Sequence, residues 1–454
     1  MNGAPDAEKG EFMADTVPGT VGLHAGASQT PPARKRLALI LLMAIGSINY
    51  VDRQLLSLLI EPIRQDIPLS DTAFGLLTGL CFAIFYATMG VPVAMLADRI
   101  NRVRLVAVAC TVWSVCTGLC GMAQNFWQLA LARFGVGIGE AGGTAPSLSI
   151  LSDYFTPQQR PAIIGLYTVN GPIGVFIGIS LGGFIASQFG WRMAFYSVAF
   201  LGVALAPVLW LLVREPVRGA TEQAPAPQAG APAPSLVSTM KIFMTLPTLR
   251  LLLPASGLMA FVSYGLLNWI PAYLMREVDM QLSELSLWFG PAAGICMGLG
   301  IWSGGAIVNA GAKRSLTAYA LAPAASILVG IPFLLLALFM PDWPSALALM
   351  LIPMICIVMY VAPALALTQN LAPLRARATA TALLLLSFNL VGIGGGPLMI
   401  GIISDMFTAL GFEHSLRWAL MSTIPVSLVA LTLYVLMART ITQDHAPTQP
   451  DMAA

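Results

Sequence analysis

The stretch Pro216-Val-Arg-Gly-Ala-Thr-Glu-Gln-Ala-Pro-Ala-Pro-Gln-Ala-Gly-Ala-Pro-Ala-Pro-Ser235 straddles residue 227, the midpoint of the 454-residue chain. It holds five prolines and no aromatic residue, the composition of a flexible linker. Apolar segments flank it in two equal sets. Before it they lie at roughly 37–62, 72–97, 103–123, 126–152, 161–187 and 191–213; after it, at roughly 249–275, 283–308, 315–340, 344–370, 378–406 and 416–438. Each exceeds the roughly 20 residues that cross a bilayer, and the surplus implies tilt or protruding ends. The expected fold is an all-α membrane protein of twelve transmembrane helices in two six-helix halves. The expected divisions are a disordered tail over 1–33, a first half over 34–215, a linker over 216–247, a second half over 248–440 and a tail over 441–454. Within the linker, Leu236–Leu246 is expected to form an interfacial helix.

Composition agrees with that division and removes several function classes. The chain is 57% hydrophobic and 10% charged, whereas soluble domains carry about 25% charged residues. A net charge of +2 without a basic stripe excludes a nucleic-acid partner. The six cysteines lie inside apolar runs without metal-ligand spacing and read as small core residues. His24, His414 and His445 fall outside those runs, so a histidine metal site or proton relay within the membrane is excluded. Serine, histidine and aspartate never converge, so neither catalysis nor a bound metal is expected. No apolar stretch precedes Leu37, which argues against a signal peptide.

Orientation follows from the 23 lysines and arginines. With the N-terminus inside, tails and inner loops hold 17 of them, and the outer ends hold four (Arg64, Arg192, Arg276 and Arg417). That bias places both termini in the cytoplasm, in a multi-pass protein of the inner (plasma) membrane. Trp127, Trp191, Trp343 and Trp418 each open a span at its outer end and are expected to form an aromatic belt.

Four charges fall deep within the spans, in the hydrocarbon: Asp52 and Arg53 on the first, Arg133 and Glu140 on the fourth. Each such charge costs about 2.5–3.5 kcal/mol at the bilayer centre on insertion scales, so each needs a purpose. Asn49, Asp52 and Arg53 share one helix face, and Arg133 and Glu140, two turns apart, share another. Asp52 counts out at a depth between Arg133 and Glu140, which allows one interleaved cluster. A static double ion pair is the bland reading, although buried pairs are poor stabilisers. In the working reading, Asp52 and Glu140 carry protons, while Arg53 and Arg133 bind an anion with their planar forks.

The second half offers mostly bulk. Its inner spans carry the bulky apolar groups Phe261, Trp269, Met275, Met297, Met354, Met359 and Phe388, most of them expected to be packing or lipid-facing and the rest to form an apolar cavity wall. The polar groups there are Ser263, Tyr264, Asn268, Tyr360, Gln369, Asn370 and Asn389. A charged wall opposite an apolar one suits an amphipathic anion, with its head at the arginines. The expected substrate contacts are Asn49, Arg53, Arg133, Tyr264, Asn268, Tyr360, Phe388 and Asn389.

The halves also repeat weakly. Asp98-Arg99-x-x-Arg102 has a counterpart in Asn309 through Lys313-Arg314, and Pro157-x-x-Arg160 has one in Pro373-x-Arg375-x-Arg377. Parallel six-span repeats place the pathway between the halves. Twelve spans, the loop motif and the midpoint linker resemble the major facilitator superfamily over essentially residues 35–440. The loop Ala94-x-x-x-Asp98-Arg99-x-Asn101-Arg102 is similar to that superfamily's cytoplasmic gate motif, with Ala94 and Asn101 in place of glycines. The resemblance implies that Asp98, Arg99 and Arg102, joined by Asp153, close the cytoplasmic side when the protein faces outward. Three further stretches resemble the spinster-like transporters: Ile48-Asn49-Tyr50-Val51-Asp52-Arg53-Gln54, Gly137-x-Gly139-Glu140-Ala141, and Pro373-x-x-Ala376-Arg377-Ala378-Thr379-Ala380 with Asn389-Leu390-x-Gly392-x-Gly394-x-Gly396-Pro397.

That second resemblance implies proton-coupled transport of a lysophospholipid or a sphingosine-phosphate-like lipid by alternating access. Asp52 and Glu140 would then be the proton-linked acids, and Arg53 and Arg133 the head-group contacts. No cofactor beyond the proton is expected, and the protein is expected to act as a monomer among membrane lipids. A proton-coupled symporter of small organic anions such as sugar acids is the rival of the same class. A passive flippase or a non-transporting sensor is the rival of another class; a flippase has no use for buried acids, and a sensor would be expected to append a signalling domain, for which the tails are too short.

Overall fold

The computed structural model describes residues 31–219, 236–373 and 376–444. Nearly all of the expected tail over 1–33, half of the linker and most of the final tail lie outside the described residues, as do Lys9, His24, Arg375 and His445. Eleven helices among the described residues are long and apolar enough to cross a membrane. In chain order they are α1 (Pro32–Leu58), α2 (Asp71–Ala97), α3 (Arg102–Met122), α5 (Arg160–Phe189), α6 (Trp191–Leu212), α7 (Pro247–Glu277), α8 (Leu282–Ala312), α9 (Ala318–Leu338), α10 (Trp343–Leu371), α11 (Thr379–Ala409) and α12 (Ser415–Thr442). The fourth expected span is present as α4, in two arms, Phe126–Glu140 and Thr144–Tyr154. It breaks at Ala141-Gly142-Gly143, just ahead of Pro146, whose ring and missing N–H oppose a continuous helix. Boundaries differ from expectation by a few residues: α1 starts inside the expected tail, and α12 helicity runs on to Asp444. The expected interfacial helix spans Leu236–Thr245, with Phe243 fully buried and Met240, Lys241 and Met244 outward.

Caps account for several helix starts. The Asn101 side chain accepts the Arg104 N–H at 2.8 Å, so the residue that replaces a motif glycine starts α3. Asn125 does the same for α4 through Gln128 N–H at 3.0 Å.

The internal repeat is clearer in backbone than in sequence. Single π-helical turns interrupt α2 at Leu76–Leu80 and α8 at Leu285–Phe289, 209 positions apart. The breaks in α4 and α10 begin at residues 141 and 357, 216 positions apart. Such turns and breaks cluster at functional sites, and here they bracket the space between the halves.

The two ends of the described chain, Pro31 and Asp444, lie on one face of the bundle, the terminal face, and the halves meet toward the other. Across the halves, glycines let helices approach closely. A methyl on Gly75 of α2 would lie 2.5 Å from the Pro397 carbonyl of α11, and one on Gly294 of α8 would lie 2.8 Å from the Pro172 carbonyl of α5. Among the described residues, every polar bond between the halves falls in the part away from the termini. The Asp71 carboxylate is the hub. It is buried against Arg64, accepts from Arg276 at 2.9 Å and accepts the Ser404 hydroxyl at 2.6 Å. Arg276 also grips Glu61 at 2.6 Å. The Asp405 carboxylate of α11 accepts the N–H groups of Asp71 and Thr72 at 3.0 and 2.7 Å, capping α2 from the opposite half. At the face that carries the termini, the space around Gly90 and Gly165 is empty for 4 Å. The bundle is closed at the far face and parted at the terminal face.

One expectation fails on the far face. Trp191 is not part of an aromatic belt: it is buried, and its indole N–H donates to Asp66 at 2.9 Å. Arg192, and then Trp191, hold the Asp66 carboxyl below its ordinary value of 3.8. That tie is present at and above the ordinary value and is lost as the solution becomes more acid.

Asp405→Asn keeps the side-chain shape but removes the charge that caps α2. It should weaken far-face closure by about 1 kcal/mol, a roughly fivefold shift toward the state open at that face. Spin-label distances between Gln65 and Leu410 should lengthen in that variant. A distance distribution identical to wild type would remove the capping bond from the closure.

Candidate functional site

The first half brings its four buried charges together as two crossed pairs. The first arm of α4 is pressed close to its neighbours by glycines: a methyl on Gly139 would lie 2.7 Å from Trp113 N of α3, and one on Gly137 2.9 Å from the Phe82 carbonyl of α2. Held so, Arg133 faces Asp52, with Nη1 3.5 Å from Oδ1, and Glu140 faces Arg53, with Oε2 2.8 Å from Nε. Asp52, Arg133 and Glu140 are buried to within 1% of complete, while the Arg53 side chain keeps 14% of its surface open. The second Asp52 oxygen accepts the Thr117 hydroxyl of α3 at 2.6 Å.

Each pair is under-satisfied. Asp52 Oδ1, Glu140 Oε1, Arg133 Nε and Arg133 Nη1 are buried without a hydrogen-bond partner. Aromatic faces supply part of the missing stabilisation. The Arg53 guanidinium lies 4.8 Å from the Phe82 ring centre and 4.9 Å from that of Tyr86, and Arg133 stands 5.4 Å from the same Phe82. Cation–π contacts of this kind are worth about 0.5–2 kcal/mol, more when dry.

Both arginines front a cavity of about 210 Å³ between the halves. The first half contributes Tyr50, Arg53, Gln54, Thr78, Phe82, Arg133 and Val175. The second half contributes Ser263, Tyr264, Asn268 and Tyr360 among apolar groups that include Met297, Met354, Leu385 and Phe388. All the lining charge is on one wall.

The expected site residues divide accordingly. Arg53, Arg133, Tyr264, Asn268, Tyr360 and Phe388 line the cavity. Asn49 is buried away from the lining, and Asn389 sits on the π-helical stretch of α11 without lining it. Asp52 and Glu140 stand one layer behind, reaching the cavity through their arginines. Of the seven bulky apolar groups of the second half, Met297, Met354 and Phe388 line the cavity, while Phe261, Trp269, Met275 and Met359 pack between helices, in keeping with the expectation that most would be packing. Trp269 is fully buried against Phe74 and donates to the Pro397 carbonyl at 2.8 Å. Gln369 and Asn370 are exposed at the terminal face. Helix periodicity could not tell these apart, because packing faces and cavity faces of a membrane helix are equally apolar. Thr117, Phe82 and Tyr86 were missed. Thr117 carried no sequence signal, while Phe82 and Tyr86 share a helix face at i, i+4.

At the terminal face Arg102 is the centre of a network within the first half. It binds Asp153 at 2.6 Å, Glu215 at 2.6 Å and Ser149 at 2.8 Å. Arg218 caps the end of α2 through the Ala97 and Ile100 carbonyls at 2.6 and 2.8 Å. The Asp98 and Arg99 side chains are exposed and make no bond to the second half among the described residues, as expected where the halves are parted. Among those residues no group of three His, Cys, Asp or Glu gathers to hold a metal.

Two six-helix halves around a cavity with one charged wall define a membrane transporter. The chain belongs to the Major Facilitator Superfamily, which it matches over residues 42–397. Within that superfamily it is spinster-like. Its fold superposes with a TM-score of 0.82 and 29% identity on a bacterial homologue of the human lysosomal transporter spinster, crystallised inward-facing and unoccupied, over 92% of this chain and all of that one. It is 33% identical to an MFS-type efflux pump of Mycolicibacterium smegmatis over 91% of this chain and 95% of that protein. It is 28% identical to the hexuronate transporter of Bacillus subtilis over 56% of this chain and 60% of that one.

Thr117→Val removes the hydroxyl at nearly constant volume and leaves Asp52 with Arg133 alone. The loss should be about 1.5–3 kcal/mol of stability, the cost of an unmade charged hydrogen bond. Thermal unfolding in detergent should show a lower midpoint for Thr117→Val and a near-normal one for Thr117→Ser. Equal midpoints for all three proteins would mean that the hydroxyl does not stabilise the buried acid.

Proposed function

We propose that the protein moves an amphipathic anion, a lysophospholipid or a related lipid, across the plasma membrane by alternating access coupled to protons. Both termini lie in the cytoplasm in this reading, and the open terminal face is the inward one. The observation that carries it is the division of the cavity, with two guanidinium groups on one wall and an uncharged, largely apolar surface on the other.

The coupling follows from the crossed pairs. An anion that engages Arg53 and Arg133 competes with Glu140 and Asp52 for the same guanidinium groups. Either carboxylate, once deserted, is buried with an oxygen that has no other donor. A buried charge in that position is far costlier than a neutral acid, so a proton replaces the lost guanidinium. Anion occupancy and proton occupancy of the first half are thereby linked. Arg53 is the moving part, because its side chain keeps 14% of its surface open while that of Arg133 keeps 1%.

A second reading, symport of small sugar acids, is favoured by the modest cavity volume and by the likeness to the hexuronate transporter. Tail length separates the two. Each methylene buried on the second-half wall is worth about 0.8 kcal/mol, roughly fourfold in affinity. Affinity at equal mole fraction of lipid should rise with acyl length and then level off. Met354→Lys should penalise long chains more than short ones. A flat profile, with uptake blocked by short soluble acids, would give the function to the sugar-acid reading.

Proton coupling has its own check. Glu140→Gln and Asp52→Asn keep shape without titration, and each should cut pH-gradient-driven flux in proteoliposomes at least about tenfold while the protein still folds. Retention of wild-type pH dependence by both variants would refute the assignment of these two acids.

A further inference from the structure

Several polar groups on the cavity wall are already spoken for. The Thr78 hydroxyl donates to the Phe74 carbonyl at 3.1 Å, and the Ser263 hydroxyl to that of Met259 at 2.7 Å. Asn268 donates to the Tyr264 carbonyl at 2.8 Å and accepts from Ser57 across the halves. These groups turn inward on the protein. Gln54 does not. It lines the cavity, is 5% exposed, and its amide nitrogen is buried with no partner.

A buried amide donor left unpaired costs about 1–3 kcal/mol, and native proteins keep few of them. Here an apolar residue of similar length would fill the position without that cost. The location is informative as well. Gln54 follows Arg53 directly on α1 and lies three residues before Ser57, between the open guanidinium and the cross-half bond. An anion seated on Arg53 would bring atoms next to its charge within reach of this amide.

We propose that Gln54 is a specificity-determining residue that donates to a neutral oxygen, a hydroxyl or a carbonyl, carried beside the anionic group of the substrate. The inference rests on the anion reading above and adds a second requirement: the head is oxygenated beyond its charge. The glycerol oxygens of a lysolipid meet it, and so do the hydroxyls of a sugar acid.

The test uses two matched pairs of probes on purified full-length protein. Lysophosphatidic acid is compared with the alkyl phosphate of equal chain length, and gluconate with hexanoate. Wild type should prefer the oxygenated member of one pair by at least about tenfold. Preference in the lipid pair identifies a lipid oxygen, and preference in the acid pair a sugar-acid hydroxyl. Gln54→Met, similar in length and unbranched, should bring the two members within about twofold while leaving the plain member's affinity unchanged. Without ligand, Gln54→Met should melt at or above the wild-type temperature, because it removes an unpaired donor.

Three results overturn the proposal: equal wild-type affinity within both pairs, a preference that survives in Gln54→Met, or a lower ligand-free melting temperature, which would make the amide a structural partner. Wild-type protein that binds none of the four probes overturns the anion reading itself, and this inference with it.

Discussion

Four ionised side chains in a hydrocarbon slab must neutralise one another, and the rest of this structure is arranged around that constraint. Asp52 and Arg53 are neighbours on α1, yet they do not share a partner. Each reaches to α4 for the opposite charge, so the pairs cross and tie the two helices at two depths. The glycine-lined face of α4 exists because that geometry leaves no room for side chains between α4 and its neighbours α2 and α3. The break in α4 follows immediately after Glu140, where the helix has delivered its last charge.

Because both pairs lie within one half, they survive whichever face of the bundle is open. A pair spanning the halves would have to be made and broken in every cycle. Far-face closure uses that other kind of bond. Asp71 gathers Arg64, Arg276 and Ser404, and Asp405 caps α2. These groups sit near the membrane edge, where water can take over released charges at low cost. The intramembrane pairs are thus kept apart from the charges that close the far face.

The asymmetry between the halves has the same origin. Two parallel repeats share π-turns and helix breaks at matching positions, which gives them the same bends. Only the first carries charge at the cavity. The second presents Met297, Met354 and Phe388, so the midplane joins a polar surface to an apolar one. A backbone inherited in duplicate supports two chemically different walls because side chains on the inner faces do not affect how each helix spans.

Span number, the two-half division, the family and the four intramembrane charges were legible in the chain itself. Hydropathy is a local property, and a charge within an apolar run announces itself without reference to anything distant. Even the interleaving of Asp52 between Arg133 and Glu140 could be counted from helix rise. Which partner each charge takes, and which polar side chains remain open to the cavity, depended on neighbours far along the chain. Thr117 reaches Asp52 from another helix, and Gln54 is left unpaired only because nothing from any other helix meets its amide nitrogen. Trp269 and Met359 are as apolar as Met354, but only packing decides that they fill seams between helices rather than the cavity. In a membrane protein the lipid-facing, packed and cavity-facing sides of a helix are all largely apolar, so the sequence determined what spans the bilayer, and tertiary contacts alone decided what faces the substrate.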